Sequence, residues 1–408
     1  MVGMQPSRDR VLVVGLGADG WSGLSETVQR RVLAARIVIG SERQLALVPD
    51  VDGQQKCRWP QPFTVDRIPV ADGVVVLASG DPLVSGVGST LVERLGAERV
   101  EVIPQVSSVA LARARMGWPA QRCAVVRVAG SGVAPVLREL APGARVLVLS
   151  SDATTPAALS SLLVEAGFGA TRVTVLGDLG SGTESRWSAT AAQVAGSDRV
   201  HPRLNVVALE VAGPARVGWA AGLPDDAYEH DGQLTRRDLR AGALARLLPL
   251  PGQLVWDVGA GAGSVGIEWM RSHPSCSAIA VERNPVRAER ITRNASRLGV
   301  PALQVVVGSA PGALEDLPDP DAVFVGGGAS VGLLDLCRRR LRPSGRLVVH
   351  AVTLQTEQLL VEALDADGGE LTRHTVETAS PLGSFTSWTP SRAVVQWAWT
   401  KPSGGGTP

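Results

Sequence analysis

Lysine is almost missing from this chain: of its 40 basic residues, only Lys56 and Lys401 are not arginine. Arginine codons are GC-rich and lysine codons are not. The bias therefore reads as the base composition of a GC-rich bacterial gene, and a single arginine is no evidence of an anion site. Cysteine is scarce too. Cys57, Cys123, Cys276 and Cys337 stand at no metal-ligand spacing and suggest no disulfide framework, so no metal is expected. Neither sign of charge is in excess: 39 acidic residues leave a net charge of +1, which argues against a broad nucleic-acid-binding surface. No apolar run approaches the ~20 residues of a membrane helix. The opening MVGMQPSRDRVLVVGLG has too short an apolar run for a signal peptide and reads as a first strand. The expectation is a cytoplasmic protein with no membrane or nucleic-acid partner.

What is present is a globular composition, 45% apolar and 19% charged. At 408 residues the chain is too long for one ordinary core, so two domains are expected. Short β-branched runs bounded by Gly, Pro or Asp predict buried strands at Arg10–Val14, Val74–Ala78, Val100–Ile103, Arg145–Leu149, Val173–Leu176 and Asn205–Glu210. Helical stretches such as Ser25–Ala35 and Gly88–Leu95 lie between them, an α/β alternation. A Pro-, Gly- and acid-rich stretch, Gly213–His230, reads as the linker. A second series follows. Helices are expected at Leu239–Leu248, Ser264–Arg271 and Val286–Leu298, and strands at Leu254–Val258, Ala278–Val281, Leu303–Val307, Ala322–Val325 and Arg346–Ala351. These readings set domains at 1–213 and 231–401, a linker at 214–230 and a disordered tail at 402–408.

The strongest local signal is LVWDVGAGAGSVGIEW, Leu254–Trp269. A strand ends at Asp257, and Gly259, Gly261 and Gly263 turn the chain into a helix. Missing side chains there let a ligand approach the backbone at the carboxyl edge of a parallel sheet. Glu282 ends the next strand, where an acid can accept hydrogen bonds from both ribose hydroxyls. Gly261, Gly263 and Gly266 also satisfy a dinucleotide pattern, but a pyrophosphate would not welcome Asp257 just before the loop. S-adenosylmethionine (AdoMet) has no phosphate, and its cationic amino-acid end suits a carboxylate. A second literal G-x-G-x-x-G, Gly15, Gly17 and Gly20, is weak alone. An RNA methyltransferase, a nicotinamide or flavin oxidoreductase and a non-catalytic corrinoid binder remain as other readings of these residues.

With its flanks QLTRRDLRAGALARL, ERNPVRAERITRNASRLGV, VVVGSAPGALEDLPDPDAVFVGGG and GRLVVHAVTLQTE, the run Leu234–Glu357 resembles the decarboxylating precorrin methyltransferases that act at carbon 15. The resemblance implies AdoMet contacts at Asp257, Gly259, Gly261, Gly263 and Glu282, with Gly308, Ser309 and Ala310 facing the adenine. Many methyltransferases carry an acid where Ser309 stands. The N-terminal segments VLVVGLGADGWSGLSETVQRRVLAARIVIG, VVVLASGDPLVSGVGSTL, VIPQVSSVALARARMGWP and SDATTPAAL resemble the tetrapyrrole methylase family, in the branch acting at carbon 5. That likeness implies a second AdoMet near Gly80, Asp81, Ser107, Ser108 and Thr155, with Gly15 and Gly17 beside the tetrapyrrole. Val125–Gly132 departs from the branch by lacking its histidine.

The fold class implied is α/β, a tetrapyrrole-methylase-type half followed by a Rossmann-like class I AdoMet methyltransferase domain. The order resembles the fused decarboxylating C5,15-methyltransferases of cobalamin biosynthesis. It implies methylation of precorrin-6B at carbons 5 and 15 and loss of the ring C acetate carboxyl to give precorrin-8, with one AdoMet per domain. A homo-oligomer follows from the same likeness, a tetramer through the C-terminal domain. Arg236, Arg237 and Arg240 are expected to grip substrate carboxylates. His350 and Glu268 are the residues expected to supply an acid for decarboxylation.

Overall fold

The computed structural model describes residues 10–128, 130, 132–214 and 218–403. The chain divides into two compact units: Met1–Gly130 with Pro142–Gly213, and Ser131–Ala141 with Pro214–Pro408.

The first unit holds two sheets. One is built from β1 (Val11–Leu16), β2 (Ile37–Gly40), β3 (Gln55–Arg58), β4 (Val74–Ser79) and β5 (Val100–Ile103), in the order β3-β2-β4-β1-β5 with every pair parallel. All six residues of β1 are buried, as in a strand covered on both faces. Leu12, Val14 and Leu16 meet Val28 and Val32 on one side, and Val11 and Val13 share the other with Leu91 and Val100. The second sheet holds β6 (Ala124–Arg127), β7 (Arg145–Leu149), β8 (Arg172–Gly177), β9 (Ser185–Thr190) and β10 (Asn205–Glu210), in the order β6-β7-β10-β8-β9. Only β6 and β7 are parallel.

The second unit is built on β11 (Leu254–Val258), β12 (Ser277–Glu282), β13 (Gln304–Val307), β14 (Ala322–Val325), β15 (Arg346–Ala351), β16 (Glu370–His374) and β19 (Val394–Thr400). β17 (Glu377–Leu382) and β18 (Phe385–Pro390) form a separate two-stranded hairpin. The order β13-β12-β11-β14-β15-β19-β16 is parallel up to β15, and β19 enters antiparallel. β11 therefore lies mid-sheet with its loop at the carboxyl edge, where ligands bind in such sheets.

The two compact units differ from the expected domains in two places. Ser131–Ala141 belongs with the second unit rather than the first: the Trp219 indole N–H donates to the Arg138 carbonyl at 3.2 Å. The stretch read as a linker is docked from Gly222 onward, with Leu223 and Tyr228 in the second unit's core. Of the tail expected to be disordered, residues 404–408 lie outside the described residues, as do positions 129 and 131 of the Val125–Gly132 stretch.

Candidate active sites

In the second unit, Gly259, Gly261 and Gly263 have φ values of +69°, +59° and +76°, the left-handed region that glycine occupies without steric cost. A Cβ on Gly261 would lie 2.7 Å from the Gln233 carbonyl oxygen, and one on Gly263 would lie 2.6 Å from the Ile291 side chain. The loop admits no side chain and bares its backbone. Glu282 holds it from β12, accepting from Gly261 N–H at 2.9 Å and from Asn284 N–H at 3.0 Å. A carboxylate has about four lone-pair sites, so capacity for a diol remains. Gly308, followed by Ser309 and Ala310, lies beside Glu282 through the Gly308 N–H to Glu282 carbonyl bond of 3.1 Å. The structure thus brings all the residues expected around this cofactor to one edge.

Asp257 is buried and accepts from Gly266 N–H at 2.9 Å. Burial pushes its carboxyl from an ordinary 3.8 up to about 7; the Gly266 bond opposes that shift and the like charge of Glu282 adds to it. Between those two values the folded chain holds a proton that the unfolded chain has lost. Stability of the unliganded chain is therefore expected to fall as pH rises through this window and to level off above it. Asp257→Asn keeps the acceptor for Gly266 and removes the charge. Thermal melts across pH should show that component of the slope vanish in the variant, and an unchanged slope contradicts the assignment.

Two expectations in this unit are corrected by burial. Glu268 is saturated: Gly222 N–H, Leu223 N–H, the Tyr228 hydroxyl and Arg240 Nε reach its carboxylate at 2.6, 3.0, 2.8 and 2.5 Å. Arg240 also donates to the Thr235 and Leu223 carbonyls and to Asp225, and its guanidinium stacks on Tyr228. Glu268 has no free oxygen for a decarboxylation step, and Arg240, fully buried with four of its five N–H donors engaged, is withdrawn from substrate. Both pin the Gly222–Thr235 strap onto the unit. Arg237 ties down the Gly222 carbonyl at 2.7 Å and Arg236 pairs with Asp225 at 3.4 Å, although both remain exposed.

His350 is corrected as well. It is buried on β15, donates through Nε2 to Gln396 Oε1 at 2.9 Å and stands edge-on to Phe324. Burial, more than the opposing Gln396 bond, brings its pKa down to about 4. It is neutral at physiological pH and is no imidazolium acid.

The first unit has a cleft of about 770 Å³, with Gly17, Gly80 and Ser108 in its wall and residues of both sheets around it. Four other expected residues do not line it. Gly15 is interior, and a Cβ there would lie 2.0 Å from the Gly80 carbonyl oxygen and 2.9 Å from Gln105 N. Asp81 closes a turn by accepting from Leu83 N–H at 2.9 Å, and Ser107 caps a helix by accepting from Ala110 N–H at 3.1 Å. Thr155 is buried and accepts from Ser151 N–H at 3.1 Å. These residues shape the loops around the cleft, whereas Gly17, Gly80 and Ser108 border its space.

Sequence reasoning missed what the cleft does display: three guanidiniums, Arg43, Arg127 and Arg203, and an edge-to-face pair, Trp59 and Phe63, at 5.1 Å. Such a wall suits a large, flat, polyanionic ligand. No sequence pattern marked these arginines, because arginine is abundant throughout.

Residues 10–195 match the model of the tetrapyrrole (corrin/porphyrin) methylases, and residues 226–401 match that of the precorrin methyltransferase domain. A precorrin-6Y C(5,15)-methyltransferase [decarboxylating] of Sinorhizobium sp is 44% identical over 397 residues, 95% of this chain and 96% of the relative. The chain belongs to this family. It is an AdoMet-dependent C-methyltransferase, which decides against the RNA-methylating, oxidoreductase and non-catalytic readings. The Mycobacterium tuberculosis (strain ATCC 25618 / H37Rv) precorrin-6Y C(5,15)-methyltransferase is 41% identical over 400 residues, 96% of this chain and all of the relative. The solved C-terminal domain of the Rhodobacter capsulatus precorrin-6Y C5,15-methyltransferase is 41% identical, covers 45% of this chain and 100% of its own, and has a TM-score of 0.44. Among the described residues, no helix is long and apolar enough to cross a membrane.

Proposed function

We propose that this precorrin C5,15-methyltransferase family member works in the cytoplasm on precorrin-6B at two separate sites, each with its own AdoMet. The first unit methylates carbon 5. The second methylates carbon 15 and releases the ring C acetate carboxyl as carbon dioxide, giving precorrin-8. The observation that carries this reading is the presence of two independently built sites, an open cleft in one unit and a side-chain-free glycine cradle in the other.

AdoMet supplies an electrophilic methyl group, and the reduced tetrapyrrole supplies a nucleophilic carbon. The protein's task is to align them and exclude water. In the first unit, Arg43, Arg127 and Arg203 bind substrate carboxylates, while Trp59 and Phe63 flank the ring. In the second, Glu282 offers acceptors to the cofactor's ribose, and Asp257 braces the loop from beneath through Gly266. With Glu268 saturated and His350 neutral, the electrons left by carbon dioxide pass into the conjugated ring. Calorimetric titration with AdoMet is expected to give two sites per chain, falling to one in Gly261→Val. A single site in the unsubstituted chain contradicts the two-site reading.

The second unit also assembles into a homo-oligomer, a tetramer, through the β17–β18 hairpin. Leu382, Phe385 and Trp388 are 64%, 78% and 68% exposed, and Glu377 is the arm's one charged residue. Leu382 pairs with Phe385 across the turn, and strand alternation puts Trp388 on the opposite face. A two-stranded ribbon with a single charge, apolar on both faces and open at both edges, calls for another copy to cover it. Light scattering should give a multimer that Leu382→Ser/Phe385→Ser/Trp388→Ser reduces to monomer. An unaltered mass in that variant contradicts this interface.

A further inference from the structure

The cleft of the first unit is rich in cations and contains one anion. Among the described residues, apart from Arg43, Arg127 and Arg203, its only ionisable lining residue is Asp178; hydroxyls, amides and apolar groups make up the rest. Asp178 follows β8, is half-buried and has φ of +46°. A non-glycine residue in this region is uncommon, and such residues concentrate at functional sites. Glycine would adopt the backbone freely, so an aspartate there points to a use for its side chain.

The loop that presents Asp178 is fixed. Asp178 N–H donates to the Leu204 carbonyl at 2.9 Å, and its own carbonyl accepts from Ser181 N–H at 3.0 Å. Further along, Glu184 accepts from Gly180 N–H at 2.9 Å and is gripped in fork geometry by Arg115 at 2.5 and 2.9 Å. Asp178 is thus held through its backbone from both sides at the cleft wall, and among the described residues its carboxylate takes part in no hydrogen bond or ion pair.

Resting on the carbon-5 reading above, we propose that Asp178 is the catalytic base of the first unit. Carbon 5 is a methine bridge that carries one hydrogen. When it attacks the methyl group, a C–C bond forms, the S–C bond breaks, and the electron pair of that bond stays on sulfur. Carbon 5 is then tetrahedral, bearing hydrogen and methyl, and the ring holds a positive charge. Conjugation returns when the C–H pair flows back into the ring and the hydrogen leaves as a proton, which the Asp178 carboxylate accepts. The arginines are already protonated and cannot take it.

The test uses the full chain with AdoMet and precorrin-6B carrying hydrogen or deuterium at carbon 5. Asp178→Asn and Asp178→Gly both suit the left-handed backbone, so loss of fold does not confound them. Each is expected to slow carbon-5 methylation by about 100-fold or more, the range of a general base. A deuterium isotope effect should appear on that step, while AdoMet binding and carbon-15 methylation stay unchanged. Wild-type rates in either variant, or slowing without an isotope effect, overturn the proposal. Failure of the unsubstituted chain to methylate carbon 5 overturns the reading of the unit itself, and this inference with it.

Discussion

Glu268→Ala is expected to cost the second unit about 3–5 kcal/mol, the usual penalty for leaving a buried charge without its partner. The substitution removes the acceptor of two backbone N–H groups and of Tyr228, and strands Arg240 fully buried. The strap then keeps its peripheral ties: Arg237 on the Gly222 carbonyl, Asn294 on the Glu229 backbone, and the ion pairs of Asp231 with Arg287 and Arg290 and of Glu229 with Arg293 and Arg297. Those pairs are partly exposed and individually weak. Arg240→Leu alone should cost a similar amount by uncovering Glu268. The double variant should lose less than the sum, because the two share one network. Urea unfolding checks this, with the first unit's transition as internal reference. A loss below about 1 kcal/mol would contradict the role given to Glu268.

Gly15→Ala is expected to abolish carbon-5 methylation, by about 100-fold or more, and to leave carbon-15 chemistry intact. The added Cβ falls 2.0 Å from a backbone oxygen. Around Gly15, three chain segments cross: Gly80 N–H donates to the Leu16 carbonyl at 2.7 Å, and Gln105 N–H donates to the Gly80 carbonyl at 3.2 Å. Neither neighbour can yield as a flexible side chain would, so the loops bearing Gly17, Gly80 and Ser108 must move. An ångström of misplacement at a reacting centre costs on the order of 100-fold. Product analysis by mass spectrometry checks it, and retained carbon-5 methylation would contradict this account of the loops.

Most buried strands were legible because their signal is local, although buried β2 and β19 went unread. Val100–Ile103, Arg145–Leu149, Asn205–Glu210, Leu254–Val258, Ala322–Val325 and Arg346–Ala351 form strands over the predicted spans. Each is a short apolar run stopped by a turn former. β9, β16, β17 and β18 went unread because their burial patterns carry little or no apolar alternation. Around the glycine loop, the expected residues lie within short stretches whose spacing the strand–turn–helix geometry dictates. Glu268, Arg240 and His350 were misread for the opposite reason. Their roles depend on partners 28 to 46 positions away, and sequence does not show a partner's approach. The cleft arginines lie on a helix (Arg43 in Glu42–Ala46), at the end of β6 (Arg127) and just before β10 (Arg203), so only the folded chain makes them a cluster.

The most direct test is mass spectrometry of precorrin-6B after incubation with AdoMet and the full chain. The account predicts a product that has gained two methyl groups and lost one carbon dioxide, with Gly15→Ala removing one methyl only and Gly261→Val removing the other together with the decarboxylation. A substrate left unchanged while AdoMet binds, or both methylations lost on disabling one site alone, would contradict it.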